Sequence, residues 1–578
     1  MRYQGGYILI NEPLVRSMGG NGHTANDMGG LSKTTVQAVN ILQDTPWAVN
    51  KRMLQVVGLA RDLGQNLVGS SGDVVLRVEE PADPRGYEPF FERLEDDEWA
   101  AMPDEDKVQW RANRQFAMED WKSSLGEYRT TLRTISAAEE MAQFDHFYFP
   151  HNMDFRTRVY PIPATLTPQS NDLSKGLLRF ARPMRLGAEG LYWMGFMVAT
   201  HFGEDKLHPD DRFQWALDHL GDIKAMVEGR SDGWLDADAP FQFLAVAQQW
   251  VDAMGMKCSE DYMSTLPGNL DGSCNGAQHL SIMSRDPVGC VATNCSASNE
   301  RHDLYMEVAD RALDQVQSDL DEDDNEVALI WLEKMKEPSA RRKVVKRAVM
   351  TVPYGVTKRG VAEFMISDGH VEKTRNKWDQ ATYMRDCIMN AVEGTMEKGR
   401  ELQRYFSECA KVCSDAGKPL TWETPSGSIV SQAYLNMTLR RIKTRDHMFV
   451  IYEEPGPDED GQAFATRVGF DRNKMATAAP PNVVHSCDAA HLQLTVCRMR
   501  QAGIRDYSMI HDSFGCPFAQ MGTMRDILRD VIVEMYSGNF LLRWKNSVER
   551  HTGVKLPKPP KMGKFDIEQI RGSVFFFS

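Results

Sequence analysis

Long apolar runs, paired cysteines and a basic leader are all missing from this sequence. No stretch approaches the ~18 uninterrupted apolar residues that a membrane span requires, so the sequence predicts no transmembrane helix. The first ten residues, MRYQGGYILI, have neither a basic flank before a long apolar run nor an Arg- and Ser-rich amphipathic pattern. We therefore expect no secretory or organelle address and a cytoplasmic location.

Cysteine is sparse and unevenly placed. None of the ten cysteines lies before Cys258, and no CxxC pair occurs. This spacing is typical of reduced thiols in a cytosol-like compartment and does not favour a zinc site. The run from Val484 to His491 contains two histidines and a cysteine, but its helical pattern favours a polar face over a metal site.

Basic residues are outnumbered by acidic ones. The 67 Lys and Arg face 81 Asp and Glu, which gives a formal net charge of −14. This average alone does not favour a nucleic-acid-binding protein, but the cations are concentrated locally. The length of 578 residues corresponds to about four lobes at roughly 150 residues per domain, with ample material for a core.

Helical and strand patterns alternate along the chain. Two helices are predicted between Leu31 and Leu67, with Pro46 in the first turn of the second helix, and a third from about 108 to 143. Residues 448–468 predict two strands joined by a long turn, whose tip at 453–461 is acidic. No internal repeat of 20 to 50 residues is visible.

An Asp followed by small residues is the first candidate for chemistry. Asp271 ends a short segment and precedes Gly272 and a helical pattern that starts near Gly276. One interpretation is a carboxylate at a strand tip, with room for a ligand over Gly272. The other, which the sequence alone supports about equally, is that Asp271 caps the helix.

A cationic helix is the second candidate, with the sequence RRKVVKRAVMTVPYG at 341–355. One face is apolar and the other is basic; the apolar face holds Val345, Ala348, Val349 and Val352, and the other Arg342, Lys343, Lys346, Arg347 and Met350. Arg342 and Lys346 repel at i and i+4 unless an anion lies between them, so a polyphosphate is the expected ligand. Pro353 should end or kink the helix and leave Tyr354 at the edge of this basic face. A solvated basic face with a buried Tyr is the alternative.

A tight turn at His511-Asp512 is the third candidate. Tyr507 and Met509 alternate as in a strand, which places Asp512 at the tip of the turn. Two carboxylates at strand tips, Asp271 and Asp512, give the sparse oxygen ligation that Mg²⁺ accepts while it keeps waters and substrate phosphates. Joined to the cationic helix, they predict phosphoryl or nucleotidyl transfer assisted by two Mg²⁺ ions.

These motifs resemble those of the single-subunit DNA-dependent RNA polymerases of T-odd phages and mitochondria. Residues 271–286 are similar to their first palm motif, Arg342-x3-Lys346-x7-Tyr354-Gly355 to their fingers motif, and 511–515 to their last palm motif. The runs 154–160, 484–486 and 575–578 also match in order and approximate spacing. The resemblance covers essentially the whole chain.

The resemblance implies a right-hand polymerase fold, α+β and mostly helical, with an antiparallel palm sheet, fingers and a reduced thumb. The implied divisions are an N-terminal helical region with a thumb remnant at 1–145, a first palm part at 146–288, fingers at 289–484, and a second palm part with a C-terminal foot at 485–578. A specificity hairpin is expected at about 435–475. Because phage relatives carry an N-terminal promoter domain before the thumb, we expect an unusually short member without it.

The activity that the resemblance implies is template-directed addition of ribonucleotides to an RNA 3′ end, with release of pyrophosphate. Asp271 and Asp512, with the Gly272 carbonyl, would hold the two Mg²⁺ ions. The remaining implied site residues form two sets. The nucleotide contacts are Arg342, Lys346, Lys206, Tyr354 and His485, of which Lys346 and Tyr354 also count as catalytic; the contacts to nucleic acid are Arg158, Tyr160, Lys175 and His511.

The implied partners are a DNA template, an RNA transcript and ribonucleoside triphosphates, with no membrane. The resemblance favours a monomer that transcribes phage genes in the bacterial cytoplasm, and it leaves open whether initiation needs a partner protein. Pro353 stands where this family usually has a small or aliphatic residue.

Three other functions are alternatives. A DNA polymerase with the same palm shares the fingers spacing, but such enzymes place a bulky residue and a nearby Glu after the first Asp, whereas this chain has Gly272 and no Glu in residues 272–284. A non-catalytic nucleic-acid binder is disfavoured because both aspartates are present. A phosphohydrolase built on His511 and Asp512 lacks further clustered His and Asp ligands.

Overall fold

A computed structural model of the chain describes residues 14–16, 30–86, 91, 95–322, 325–371, 377–436, 439–443, 448–452 and 469–577. The described residues are mostly helical, and their strands form small antiparallel sheets, as the sequence predicted. None of the described helices is both long and apolar enough to span a bilayer.

The N-terminal part is built from four helices and three short strands. They are α1 (Lys33–Gln43), β1 (Trp47–Val49), α2 (Lys51–Leu63), β2 (Leu67–Val68), β3 (Val74–Leu76), α3 (Asp96–Ala101) and α4 (Asp104–Met141). The two predicted helices are confirmed, but the prediction that Pro46 lies in the first turn of the second is wrong. Trp47 instead pairs with Phe180 in a sheet, and Asn50 caps α2 by accepting the backbone N–H of Met53.

Helix α4 is long and packs on the body through its C-terminal half. The buried side chains there are Thr131, Thr134, Ile135 and Ala138. The predicted helix at about 108–143 is therefore confirmed, and many side chains in its first half are exposed.

The next region ends in β9, a strand of the three-stranded sheet. Its elements are β4 (His151–Met153), β5 (Val159–Pro161), α5 (Asp172–Gly176), β6 (Leu178–Phe180), β7 (Met184–Arg185), α6 (Gly187–Phe202), α7 (Pro209–Asp218), α8 (Leu220–Val227), α9 (Pro240–Met254), β8 (Met263–Ser264) and β9 (Pro267–Asp271). Helices α6 and α9 are largely apolar and pack together behind β9.

A helical region follows β9. It contains α10 (Asn275–Ser284), α11 (Pro287–Ala292), α12 (Leu304–Glu322), α13 (Glu326–Lys334), α14 (Pro338–Thr351), α15 (Lys358–Ser367), α16 (Lys377–Thr395) and α17 (Glu397–Asp415). On α14 the predicted apolar face is confirmed, since Val345, Ala348 and Val349 are buried while Lys346 is exposed. The predicted break at Pro353 is also confirmed, because α14 gives way to a 3₁₀ turn at Val352–Tyr354.

Two hairpins precede the last long helix. They are β10 (Leu420–Glu423) with β11 (Ile429–Gln432), and β12 (Leu439–Lys443) with β13 (Met448–Tyr452). The predicted strand at Met448 is present, and it pairs with the upstream residues 439–443. The predicted acidic tip at 453–461 and the second predicted strand lie outside the described residues.

The chain segments around residues 435 and 470 contact each other. Leu435 pairs with Phe470, the Asn436 N–H donates to the Gly469 carbonyl, and the Asp471 N–H donates to the Tyr434 carbonyl. We call these three contacts the neck.

The C-terminal part supplies two strands that pair with β9. It consists of α18 (Arg472–Gln501), β14 (Ser508–Ile510), β15 (Ser513–Pro517), α19 (Met521–Tyr536) and α20 (Phe540–Thr552). The three-stranded antiparallel sheet has the order β14-β15-β9, so two strands from the C-terminal part pair with one strand that precedes the helical region.

Three buried tryptophans anchor different parts of the core. Trp250 on α9, Trp331 on α13 and Trp422 on β10 are almost fully buried. Each indole N–H is satisfied: the acceptors are the carbonyls of Ala216 and Gln380 and the hydroxyl of Ser486. Each ring therefore adds apolar burial without leaving an unpaired donor.

We expect Gly176→Ala to destabilise the fold, because a Cβ at this position would lie 2.7–2.8 Å from Phe241 atoms that include its backbone carbonyl. Helices α5 and α9 would have to separate, which should lower the free energy of unfolding by about 1–3 kcal/mol in urea titrations. Gly58→Ala on α2 is the matched control, since nothing lies within 4 Å of its added Cβ. Equal stability of the two variants would contradict the close packing of α5 on α9.

Candidate active site

The three-stranded sheet β14-β15-β9 brings the two predicted aspartates together. Asp271 ends β9 opposite Ser513, and the Gly272 N–H donates to the Asp512 carbonyl at 3.0 Å. Asp512 lies in the two-residue turn between β14 and β15, as predicted. Both carboxylates reach solvent, while the neighbouring strand residue Leu270 is buried.

The alternative in which Asp271 caps the following helix is wrong. Helix α10 begins at Asn275, and its N-cap position is Cys274. The Asp271 carboxylate is left available for a ligand.

The electrostatic environment of Asp271 favours a bound cation. Its pKa is raised, mainly because the surrounding protein displaces bulk water at the floor of the site, and also by the charges of Asp512 and Asp205. A hydrogen bond from Ser513 and the Lys175 ammonium act in the opposite direction. A divalent cation would offset the repulsion between the carboxylates.

The donor set fits Mg²⁺. Asp271 and Asp512 supply carboxylate oxygens and Gly272 a carbonyl, which are the hard ligands that this ion prefers. Within the described ranges no group of three or more His, Cys, Asp or Glu side chains is positioned for a metal. Sparse protein ligation of this kind leaves coordination positions for water and for substrate phosphates.

The cationic helix α14 carries both paired and free cations. The Arg342 Nε donates to the Asp303 carboxylate at 2.7 Å, and its guanidinium lies 5.0 Å from the centre of the Tyr305 ring. Asp303 also accepts the N–H groups of Tyr305 and Met306 at the start of α12. Lys346 is exposed and forms no ion pair with any residue that the structure describes. Arg342 is thus held by a carboxylate, whereas Lys346 is available to an anion.

Tyr354, just after this helix, contacts α10 and α18. Its ring lies 4.6 Å from the His485 ring, and a Cβ on Gly276 would come within 2.7 Å of it. The following Gly355 has a positive φ of 77° and lies against the Thr477 carbonyl of α18. A side chain at Gly276 would collide with the Tyr354 ring, so this small residue lets the ring lie close to α10. A side chain at Gly355 would be strained by the positive φ.

His485 is held neutral by its surroundings. Burial, together with Arg158 and Arg156, lowers its pKa to about 2. Its Nδ1 therefore accepts the hydrogen bond from Arg156 Nη1, at 2.8 Å. Arg156 is in turn paired with Asp154 at 2.6 Å. The sequence interpretation did not assign Arg156 and Asp154 to the site, although they lie in the same motif as Arg158 and Tyr160.

Arg158 points into the protein. Its guanidinium forms an ion pair with the almost fully buried Asp488 of α18, with Nε at 2.9 Å. Burial raises the pKa of Asp488 to about 6, although Arg158 opposes the shift. No signal in the sequence indicated this partner, because Asp488 lies far along the chain on a helix with no other charge pattern nearby.

The remaining predicted residues surround the aspartates. The Tyr160 ring meets the His511 ring edge-on at 5.0 Å, and His511 is buried beside Asp512. Lys175, on α5, is close enough to influence the pKa of Asp271. Lys206 is exposed in the loop between α6 and α7, next to Asp205, which also acts on Asp271.

The C-terminal segment covers one side of the site. Phe577 pairs with Gly272, and the carbonyls of Phe575 and Phe576 accept hydrogen bonds from Ser273 and Gln278. Ser578 lies outside the described residues.

Two adjacent carboxylates, an exposed lysine on a cationic helix and a half-buried tyrosine define a site suited to a divalent cation and a polyphosphate. The family model described as DNA-dependent RNA polymerase matches residues 184–553. Since this match covers more than half of the chain, the chain belongs to the DNA-dependent RNA polymerase family.

Named relatives agree with this family. The chain is 29% identical to DNA-directed RNA polymerase 2, chloroplastic/mitochondrial, of Arabidopsis thaliana, covering 100% of this chain and 55% of the relative. It is 30% identical to DNA-directed RNA polymerase 3, chloroplastic, of Nicotiana sylvestris, covering 100% of this chain and 57% of the relative. The chain spans about half the length of the curated relatives it matches.

A solved structure gives a weaker likeness. The POL domain of Pol1 from M. smegmatis, in complex with DNA primer-template and dNTP, matches 75% of this chain and 74% of that chain. The sequence identity is 12% and the TM-score is 0.27.

We expect Arg158→Met to lower the free energy of unfolding by about 3–5 kcal/mol, because it leaves the Asp488 carboxylate buried without a cation. The double variant Arg158→Met/Asp488→Leu should recover most of this loss. Urea unfolding at pH 7.5 measures both, and Arg185→Met is the control, since its pair with Asp261 is exposed and should cost less than about 1 kcal/mol. An Arg158→Met chain as stable as wild type would instead favour a guanidinium that is free to contact nucleic acid.

Proposed function

We propose that the chain catalyses template-directed addition of ribonucleotides to the 3′ end of RNA on a DNA template, with release of pyrophosphate. The observation that carries the proposal is the meeting of Asp271, Asp512 and Tyr354 beside the cationic helix α14. Membership of the polymerase family supports the same chemistry.

Two Mg²⁺ ions would be held by Asp271, Asp512 and the Gly272 carbonyl. When bound, they would supply activation of the attacking hydroxyl and neutralisation of the charge that develops on the leaving pyrophosphate. The protein's part is to position the nucleotide and to add further positive charge.

Lys346 is the main phosphate contact in this proposal. It is exposed on the free face of α14 and has no carboxylate partner among the described residues, so an incoming triphosphate meets no competing ion pair there. Lys346 is also the proposed proton donor to pyrophosphate. Arg342 would interact with both Asp303 and the phosphates, and the exposed Lys206 would be a further phosphate contact.

Tyr354 and His485 are the proposed contacts to the sugar. Their rings pack together, and the neutral imidazole keeps one nitrogen on Arg156, which fixes its orientation. A Cβ at Gly272 would lie 3.0 Å from Gln278 Oε1 and 3.2 Å from the Phe577 ring, so the space expected over this glycine is filled by the protein itself. No Glu lies in residues 272–284 to exclude a ribose 2′-OH. These features favour ribonucleotides over deoxyribonucleotides.

Helix α4 supplies a further surface for nucleic acid. All six of its basic residues fall within a sector about 100° wide at 3.6 residues per turn; they are Lys107, Arg111, Arg114, Lys122, Arg129 and Arg133. This sector, which we call the basic ridge, lies opposite the buried face. From Arg111 to Arg133 it spans about 33 Å at 1.5 Å per residue.

The basic ridge is not neutralised within the protein. Lys107 is paired with Asp104, but none of the other five forms an ion pair with a described residue. Cations at i and i+4, such as Arg129 and Arg133, destabilise a helix unless they meet an anion. We infer that the phosphate backbone is that anion, and that Tyr160, Lys175 and His511 contact nucleic acid nearer the aspartates. Arg158 is a weaker candidate for a nucleic-acid contact, because its guanidinium is already paired with the Asp488 carboxylate.

The division into thumb, palm and fingers at 1–145, 146–288, 289–484 and 485–578 belongs to the same proposal, as do the monomeric state and the transcription of phage genes in bacterial cytoplasm. The relatives named above are chloroplast and mitochondrial enzymes, so their names point to organelles rather than to a phage.

We expect Asp512→Asn to reduce ribonucleotide addition about a thousandfold or more, because it removes a metal-binding charge without changing the shape of the turn. Extension of an RNA primer on a pre-melted RNA:DNA scaffold with Mg²⁺ measures the effect. Scaffold binding should change little, and Asp261→Asn, at an exposed pair remote from the sheet, should extend like wild type. Near-normal extension by Asp512→Asn would remove the metal assignment, and addition of deoxyribonucleotides alone would show a DNA polymerase.

We expect the double variant Arg129→Gln/Arg133→Gln to weaken scaffold binding and to make it less sensitive to salt. For each phosphate that the variant no longer neutralises, the slope of log affinity against log salt should fall by about 0.7–0.9. Fluorescence anisotropy over a range of KCl concentrations measures the slope. Arg230→Gln, whose exposed arginine is paired with Glu228, should leave it unchanged. An unaltered slope in the double variant would exclude the basic ridge from the nucleic-acid surface.

A further inference from the structure

The loop between α6 and α7, residues 203–208, forms a wall of the site. Its Asp205 carboxylate acts on the pKa of Asp271 and lies 3.5 Å from the Arg301 guanidinium. At its end, the His208 ring meets the edge of Phe575 in the C-terminal segment. Lys206 lies between these two contacts and is exposed. The position of this loop therefore determines where Lys206 is presented.

A buried arginine holds the loop from behind. Arg212 on α7 is fully buried, and its Nε donates to the Leu207 carbonyl at 3.1 Å and its Nη2 to the Asp205 carbonyl at 2.5 Å. Its Nη1 donates to the Thr200 hydroxyl on α6 at 3.2 Å. One rigid guanidinium thus ties both ends of the Asp205–Leu207 segment to the helix that precedes it.

Stability alone does not explain why a buried arginine occupies position 212. It forms no ion pair with any residue in the described ranges, and burial, together with the nearby Arg301, lowers its pKa to about 10. Its other contact is the Phe196 ring, 4.5 Å away. A buried cation whose acceptors are neutral loses hydration that an apolar side chain of similar size would not lose. A role in the geometry of the loop accounts for a charge at this position.

We propose that Arg212 is a positioning residue that fixes the Asp205–Leu207 segment so that Lys206 faces the triphosphate and Asp205 stays beside Asp271. This inference rests on the proposed polymerase function and adds a residue that does not itself touch the substrate.

The test is a double-mutant cycle between Arg212 and Lys206, measured on the pre-melted scaffold. Arg212→Met should raise the KM for ribonucleotides about tenfold and change kcat much less, because misplacement of a binding group by a fraction of an ångström costs affinity. In a Lys206→Ala background the same change should raise KM less than about twofold, since the group being positioned is gone. Arg212→Lys should fall between wild type and Arg212→Met.

Arg179→Met is the matched control. The Arg179 guanidinium also donates to backbone carbonyls, those of Val49 and Phe180, but it lies on β6 away from the loop. It should lower stability without changing KM. An equal KM effect of Arg212→Met in both backgrounds, or a loss of stability with unchanged KM, would overturn the inference.

Folding and function are separated by two further measurements. If Arg212→Met does not fold, Thr200→Val removes one acceptor of the guanidinium and should raise KM in the same Lys206-dependent way; no change in KM would overturn the proposal. If the wild-type chain adds no ribonucleotide, the proposed function fails. The inference is then decided by equilibrium binding of Mg²⁺-ATP, which should be weaker for Arg212→Met than for wild type and equal for the two chains if Arg212 has no such role.

Discussion

The pairing of β9 with β15 is the interaction on which the candidate site depends. It sets Ser513 opposite Asp271 and allows the Gly272 N–H to reach the Asp512 carbonyl. A slip of one residue would turn the side chains of one strand to the other face of the sheet and separate the carboxylates. The helical region lies in the chain between these two strands. Because the strands pair, the two ends of this stretch of chain lie close together, and α14 lies near the aspartates.

Features that depend on local chemistry were predictable from the sequence. The turn at Asp512, the two faces of α14 and the end of that helix near Pro353 all follow from periodicity or from the geometry of proline. The placement of Pro46 was wrong because a distant strand at Phe180 draws Trp47 into a sheet. The helix and strand preferences of residues near Pro46 give no information about a pairing partner so far along the chain.

The partners of the charged site residues were not predictable for the same reason. Arg342 and Arg158 both resemble free cations in the sequence, yet Asp303 and Asp488 neutralise them in the fold. The assignment of Lys346 stays a prediction, supported by its exposure. The net charge of −14 is compatible with the basic ridge, because net charge is a sum over the whole chain whereas the six cations of α4 lie within one sector of that helix.

The neck at residues 434–436 and 469–471 has an evolutionary consequence. Because the two chain segments are joined by backbone contacts, the helix that follows starts from a fixed point, with the Asp471 side chain capping it at the Lys474 N–H. Insertions, deletions and substitutions between the two segments need not shift α18, which carries His485 and Asp488. This part of the gene can therefore tolerate changes in length and sequence without moving the start of α18.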